Sequence, residues 1–350
     1  MKKNLKIYFL LTGIFAISCA PPKALLYNPG QPTLRKEINT LIVDSGLDVN
    51  MSIKVTSLNS GKTLYALNSQ KRLIPASNNK LYICAAVLSN LGADFIFETS
   101  IYLDGPNLIL KGGGDPDFSL EQLDSLAQFV ANNIKDVDTL FVDESLMDTL
   151  HYGEGWMWDE GSWWYAAPIS AMSLNDNCID FYIQPGKLGY PVQITTNPPT
   201  HYIKIDNQSV TVNDTLDFQK FKIERDWNGR TNHFTISGEI LDTSSIDTLI
   251  RNIVHPPLFA GTVLKEMLEK HGTVVKKIKI GNLTENAKLL VSHKSDSLLQ
   301  SALNLMTESD NLTAELFAKT MGISEETPGN WNDGIKTVKT FLADSAGIDT

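Results

Sequence analysis

The 350 residues carry 30 Lys and Arg against 40 Asp and Glu, a formal net charge of −10, and are 42% hydrophobic and 20% charged. That balance excludes wholesale disorder. The acidic charge excludes a protein built to hold nucleic acid, which needs a basic face. The length sets a prior of two or three domains.

At the N-terminus Lys2, Lys3 and Lys6 precede an apolar run from Ile7 to Ile17. The run is too short to span a bilayer and fits the h-region of a signal peptide. It ends in Ala16-Ile17-Ser18-Cys19, which resembles a bacterial lipobox. Residues 1–18 are therefore expected to be a signal peptide, with Cys19 as the lipidated N-terminus. Residues 19–32, with Pro21, Pro22, Pro29 and Pro32, are expected as a tether. An ordinary secretory signal followed by an incidental cysteine is the alternative. The expected location is the periplasm, with a lipid anchor in a bacterial membrane, the outer one being favoured. Removal of residues 1–18 takes three lysines and no acid, moving the net charge from −10 to −13.

Beyond the tether, Leu34, Ile38, Leu41 and Ile42 predict a helix from Thr33 to about Ser45, with Gly46 as its stop. Ser52–Leu58 and Thr63–Leu67 predict a hairpin around Asn59-Ser60-Gly61. Lys80–Leu91 reads as a helix apolar nearly all round, hence buried on most sides, and closed by Gly92. Phe95–Leu103 and Asn107–Leu110 predict a second hairpin around Asp104-Gly105-Pro106. Ser119-x-x-Gln122 is a capping box that opens a helix carrying Leu123, Leu126, Phe129, Val130 and Ile134. A strand is expected around Thr139–Val142. Between residues 180 and 250 short strands alternate with Thr, Asn, Asp and Gly turns, predicting a small all-β insert. Helical patterns return at Thr262–His271, Ser297–Thr307, Leu312–Met321 and Asn332–Ser345.

The chain has three cysteines and six histidines. An exported protein permits a disulfide between Cys84 and Cys178. Cys84, however, sits in the apolar helical run and reads as a small buried hydrophobe. The histidines are scattered without metal-ligand spacing, so no metal and no cofactor is expected. Gly112-Gly113-Gly114-Asp115 lacks the Gly-Lys-Ser/Thr that would complete a phosphate loop, and a tight turn with positive φ is the better reading. Trp156, Trp158, Trp163 and Trp164 place four of the six tryptophans within nine residues. A local core is the more frequent use of such a cluster, and a sugar or peptide platform is the alternative.

Two short motifs carry candidate chemistry. In Ser77-Asn78-Asn79-Lys80, positions i and i+3 share one helix face, so the Lys80 amine can reach the Ser77 hydroxyl. The helix N-terminus beside Ser77 favours developing negative charge. A plain N-cap serine is the alternative. Ser309-Asp310-Asn311 lies on the connection between two predicted helices, where a capping loop is the alternative. Each motif is weak alone.

Together, and in this order, they resemble the penicillin-recognising serine acyl-transferases. The 232 positions between Ser77 and Ser309 resemble one branch, the D-alanyl-D-alanine carboxypeptidase/endopeptidase family, or class C low-molecular-mass penicillin-binding proteins. Pro75-Ala76-Ser77-Asn78-Asn79-Lys80, Lys111-Gly112-Gly113-Gly114-Asp115-Pro116, Tyr165-Ala166-Ala167-Pro168-Ile169-Ser170-Ala171 and Ser309-Asp310-Asn311-Leu312-Thr313-Ala314-Glu315 agree with it.

The resemblance implies an α+β fold: a transpeptidase domain of the penicillin-binding-protein and serine β-lactamase kind, helices around an antiparallel sheet, with a large mixed and β-rich insert. The implied division is 33–98 as the first part of the catalytic domain, 99–290 as the insert with a nested β-rich subdomain at about 180–250, and 291–350 as the second part. It implies Ser77, Lys80 and Ser309 as catalytic residues and Asn311 as a substrate-binding residue. It also implies peptidoglycan stem peptides as substrate and β-lactams as covalent inhibitors. The third family motif, Lys-Thr-Gly, is absent: Lys62-Thr63-Leu64, Lys336-Thr337-Val338 and Lys339-Thr340-Phe341 all lack the glycine. The expectation is a chain cut before its last strands and slow to acylate. An inert cell-wall lipoprotein of the same fold and a serine β-lactamase are the rival readings.

Overall fold

A computed structural model describes residues 32–157, 160–214, 219–226 and 228–348. The expected signal peptide, Cys19 and nearly all of the tether lie outside the described residues, as do Trp158 and Phe218. The chain divides into two compact units, residues 1–76 and 77–350.

In the first unit, α1 (Pro32–Asp44) is followed by Gly46 at φ +63° and by the antiparallel strands β1 (Ile53–Thr56) and β2 (Thr63–Leu67). The first strand is shorter than its apolar run, because only Ile53 to Thr56 finds partners on β2. Tyr65 on β2 is buried, and its hydroxyl donates to Asn39 Oδ1 on α1 at 2.7 Å, satisfying the one polar atom that burial would otherwise strand.

The second unit holds three apolar clusters, and the two larger ones organise its sheets and its helices. A five-stranded sheet runs in the order β14 (Val274–Ile280), β5 (Asp136–Asp143), β4 (Asn107–Lys111), β3 (Ile96–Asp104), β15 (Lys288–Ser297). It is mixed: β14, β5 and β4 are parallel, and β3 is antiparallel to both β4 and β15. The parallel pairs require crossovers. Helix α3 (Leu120–Asn133) joins β4 to β5, and α4 (Pro256–Lys270) leads into β14. Leu110, Leu126, Val142 and Phe259 are among the residues buried between these helices and the sheet. The capping box of α3 is formed: Gln122 N–H donates to Ser119 Oγ at 3.4 Å and Ser119 N–H to Gln122 Oε1 at 2.7 Å.

Strands β14 and β15 were not expected. Both are edge strands, and β14 carries Lys276, Lys277 and Lys279, which suit an exposed edge but hide the alternation that announces a strand. Helix α4 starts six residues before its expected Thr262, because Pro256 and Pro257 occupy its first turn, where no intrahelical donor is needed. The triple glycine also differs from the expected turn. Only Gly114 has positive φ, +74°. A Cβ on Gly112 would lie 2.4 Å from the Ala171 carbonyl oxygen, and one on Gly113 would lie 2.2 Å from that of Glu98. Those two glycines serve close backbone approach.

Between β5 and α4, β6 (Cys178–Gln184), β7 (Gln193–Asn197), β8 (Lys204–Asn207), β9 (Val210–Val212), β10 (Lys222–Arg225), β11 (His233–Ser237), β12 (Glu239–Leu241) and β13 (Asp247–Asn252) form small sheets. Their orders are β13-β6-β7, β10-β11-β8 and β12-β9.

The second cluster is helical. α2 (Asn79–Leu91), α5 (Leu298–Glu308), α6 (Asn311–Met321) and α7 (Trp331–Ala346) share a core with Cys84, Val87, Leu305, Phe317 and Val338. Gly334 on α7 makes close packing possible, since a Cβ there would fall 1.8 Å from the Ala318 carbonyl oxygen on α6. Helix α2 is less enclosed than its composition predicted: Leu81 is 54% exposed and Tyr82 43%. Its buried face is Lys80, Cys84 and Val87, the i, i+4, i+7 stripe, together with Ala86. Cys84 and Cys178 are both buried and free, so they do not pair.

Candidate active site

The α2 stripe decides where the first charged group sits. Lys80 occupies the first turn of its core face and is 7% exposed. Its stem is buried while its amine reaches the helix N-terminus. Ser77 belongs to a single 3-10 turn, Ala76–Asn78, that leads into the helix. The N-cap is Asn78, which makes no side-chain capping bond. Ser77 is therefore not the capping residue, and its exposed Oγ lies 3.2 Å from Lys80 Nζ.

The second motif reaches the same amine from the other side. Helices α5 and α6 are joined by only Ser309 and Asp310. So abrupt a reversal needs a left-handed residue, and Ser309 takes φ +57°. A non-glycine residue held there is a strained conformation of the sort that collects at functional sites. Asp310 caps α6 by accepting from Thr313 N–H at 2.6 Å. Ser309 then presents both its carbonyl, 2.5 Å from Lys80 Nζ, and its Oγ, 3.2 Å away. Asn311, the first residue of α6, turns Oδ1 to the same nitrogen at 2.5 Å.

All four motif residues thus meet at one nitrogen. The carbonyl oxygens of Ser309 and Asn311 can only accept, so they take two N–H bonds from Lys80. The remaining tetrahedral position faces the hydroxyls of Ser77 and Ser309. If Lys80 is neutral, that position is a lone pair aimed at a hydroxyl proton. Burial lowers the Lys80 pKa below the ordinary lysine value; the charges of Asp310 and then Glu315 partly oppose the shift.

Asn311 makes one further contact. Its Nδ2 donates to the Tyr165 carbonyl at 2.8 Å. Because the Lys80 amine needs an acceptor and a carbonyl needs a donor, the Asn311 amide has one possible orientation. Tyr165 lies in the 3-10 turn Trp164–Ala166. The tryptophan cluster divides: Trp156 packs against a buried apolar cluster as a local core would, whereas Trp163 is 48% exposed and Trp164 43%. The two polar partners to which the sequence analysis gave no role are the Tyr165 carbonyl and the half-buried Glu315, to whose side chain Trp331 Nε1 donates at 2.6 Å. Glu315 sits one turn after Asn311 on the same helix, a spacing that would have placed it near Lys80. Among the described residues no group of His, Cys, Asp and Glu is placed to hold a metal ion.

The arrangement equips a hydroxyl nucleophile with an amine base inside hydrogen-bond reach, and it sets a second hydroxyl on the base. The chain is similar to known proteins. The chain is 28% identical over 338 residues to a D-alanyl-D-alanine carboxypeptidase of Actinomadura sp. (strain R39), covering 91% of this chain and 62% of that protein. It is 23% identical to the D-alanyl-D-alanine carboxypeptidase DacB of Haemophilus influenzae, over 84% of this chain and 63% of that one. The chain thus spans about three fifths of the length of these relatives. The crystal structure of penicillin binding protein 4 from Haemophilus influenzae superposes with a TM-score of 0.71 at 22% identity, over 86% of this chain and 68% of that one, which shows the shared α+β fold. The D-Ala-D-Ala carboxypeptidase 3 (S13) family matches residues 34–350, and this chain belongs to it.

Proposed function

We propose that the protein is a serine-type D-Ala-D-Ala carboxypeptidase and endopeptidase that cleaves peptidoglycan stem peptides through an acyl-enzyme on Ser77. The observation that carries this reading is the convergence of Ser77 Oγ, Ser309 Oγ and Asn311 Oδ1 on Lys80 Nζ within 3.2 Å. An inert relative has no use for a buried amine held against a hydroxyl.

The Ser77 proton passes to the Lys80 lone pair as Oγ bonds to the carbonyl carbon of the penultimate D-Ala. The Ser77 backbone N–H, free at the start of the helix, donates to the oxygen that gains charge. The C–N bond then breaks, and the proton moves from Lys80 through the Ser309 hydroxyl to the departing amine of the terminal D-Ala. Water, deprotonated by Lys80, attacks the ester and restores Ser77. Asn311 holds Lys80 through Oδ1 and is the group expected to meet the substrate amide. β-Lactams enter by the same first step and remain as the ester. The reading extends to an exported lipoprotein: cleavage before Cys19, a lipid on that residue, and a periplasmic enzyme tethered to the outer membrane.

Intact-mass measurement after incubation with benzylpenicillin tests the reading. A single penicilloyl adduct is expected on the wild type and none on Ser77→Ala. Adduct formation that survives Ser77→Ala overturns it. Nitrocefin turnover at more than one equivalent per protein would favour a β-lactamase.

A further inference from the structure

The Tyr165 carbonyl that holds Asn311 belongs to a segment with little structure of its own, and the segment is gripped from elsewhere. Asn252, the last residue of β13, is fully buried. Its Nδ2 donates to the carbonyls of Trp163 at 2.8 Å, Ala166 at 2.9 Å and Gly161 at 3.3 Å. Its backbone N–H donates to the Ser162 carbonyl at 2.9 Å. One residue thereby occupies four of the six carbonyls between Gly161 and Ala166.

The Asn252 amide has no freedom to flip. Its Oδ1 accepts from Nη2 of Arg225, a residue 5% exposed, at 2.9 Å. A guanidinium only donates and a carbonyl only accepts, so the NH2 side must face the loop. The neighbouring residue adds a second grip: the Arg251 guanidinium lies 4.5 Å from the centre of the Trp163 ring. It is itself fixed by donating to the carbonyls of Ile223 at 2.9 Å and Ile250 at 2.8 Å. Trp163 in turn stacks on Tyr165, with ring centres 6.3 Å apart and planes 6° from parallel. Tyr165 is thus flanked by two residues whose carbonyls are held, and its own carbonyl is the one that meets Asn311.

We infer that Asn252 is a positioning residue for the active site, setting Asn311 and hence Lys80 through the 161–166 loop. The relay runs from Arg225 to Asn252, to the Trp163 and Ala166 carbonyls, to the Tyr165 carbonyl, to Asn311 and to Lys80. It makes the end of β13, about 60 residues before Asn311, part of what fixes the acylating geometry. This deepens the proposed function and rests on it only for the catalytic readout. Displacements near 1 Å at reacting groups cost up to about 100-fold in rate.

Asn252→Asp is the informative change, since it keeps size and the Arg225 contact but replaces two donors with lone pairs facing three carbonyls. Trp163→Leu loosens the same loop from an exposed position and serves if the buried variant does not fold. In protein labelled with 15N-asparagine, the Asn311 side-chain amide signal is identified by its loss in Asn311→Ala. Both loop variants are expected to shift that signal and speed its solvent exchange. For benzylpenicillin, Asn252→Asp is expected to lower the acylation rate constant about 10- to 100-fold. The same change in an Asn311→Ala background is expected to cost less than about threefold, because its route to Lys80 is already gone. A signal that stays in place in whichever variants fold, or a full-sized second loss in the Asn311→Ala background, overturns the inference. If the wild type forms no ester on Ser77, the proposed function falls, and the amide signal alone decides the role of Asn252.

Discussion

The two segments that meet at Asn311 are held by different means. On one side Ser309 lies in the two-residue joint between α5 and α6 and Asn311 directly follows it, and the apolar faces of those helices, Leu305 on α5 and Phe317 on α6, bury in one cluster. On the other, the Tyr165 carbonyl belongs to a loop held by polar atoms of Arg251 and Asn252. The first side is specified by which side chains stand at which helix ends. The second is specified by backbone carbonyls, which every residue has. A motif records the first and leaves no trace of the second.

The sharpest way to separate chemistry from scaffold is Lys80→Met, which keeps an apolar stem and removes the base. General base catalysis and its loss predict at least a ~1,000-fold fall in penicillin acylation, read by intact mass against time. The melting temperature is expected to fall by no more than about 5 °C, since a similar volume remains buried. A fall in melting temperature well beyond about 5 °C would show that Lys80 holds the scaffold as well.

Backbone placement is tested away from the site by Gly113→Ala. The added Cβ would meet main chain at Glu98 on β3, which cannot rotate away. A loss of about 3 kcal/mol is expected in urea unfolding, within the range for overpacking against a rigid neighbour. An unchanged midpoint would mean that β3 yields there. Ser119→Ala is the mild counterpart on the side that residue identity encodes: loss of the formed capping box should cost about 1 kcal/mol by the same measurement.

These contrasts explain what the sequence made legible. The helices α2, α3, α5, α6 and α7 announced themselves because each has an apolar stripe and a recognisable end. Ser77, Lys80, Ser309 and Asn311 could be singled out because two short motifs stand in a family's order whatever lies between, and the fold brings all four together. Strands β14 and β15 escaped because an edge strand need bury only part of one face, and lysines filled the rest. The exposed Trp163 and Trp164 misled for a related reason: aromatic residues usually bury, and here one is spent stacking on Arg251. Asn252 was invisible, since an asparagine at a strand end has the look of a turn residue until the carbonyls around it are seen.

The smallest expected effect acts where α5 and α6 join. Asp310 faces Lys80 and raises its pKa, while burial lowers it by more. Acylation needs the neutral amine, so its rate should rise with pH through the Lys80 pKa and level off below the unperturbed lysine value of 10.5. The same lowered pKa ties stability to pH. Between the folded pKa and 10.5 the unfolded chain binds a proton that the folded chain does not, so this group's contribution to stability increases as pH rises through that window. Asp310→Asn removes the charge, and an asparagine can still cap α6 through its side-chain oxygen. With the opposing charge gone, the folded pKa drops further. The rising limb of the acylation profile should then move to lower pH. A limb that stays in place would show that Asp310 shapes the joint and leaves the base untouched. A limb that moves to higher pH would show that its carboxylate, together with Ser309 and Asn311, is part of what keeps the amine buried.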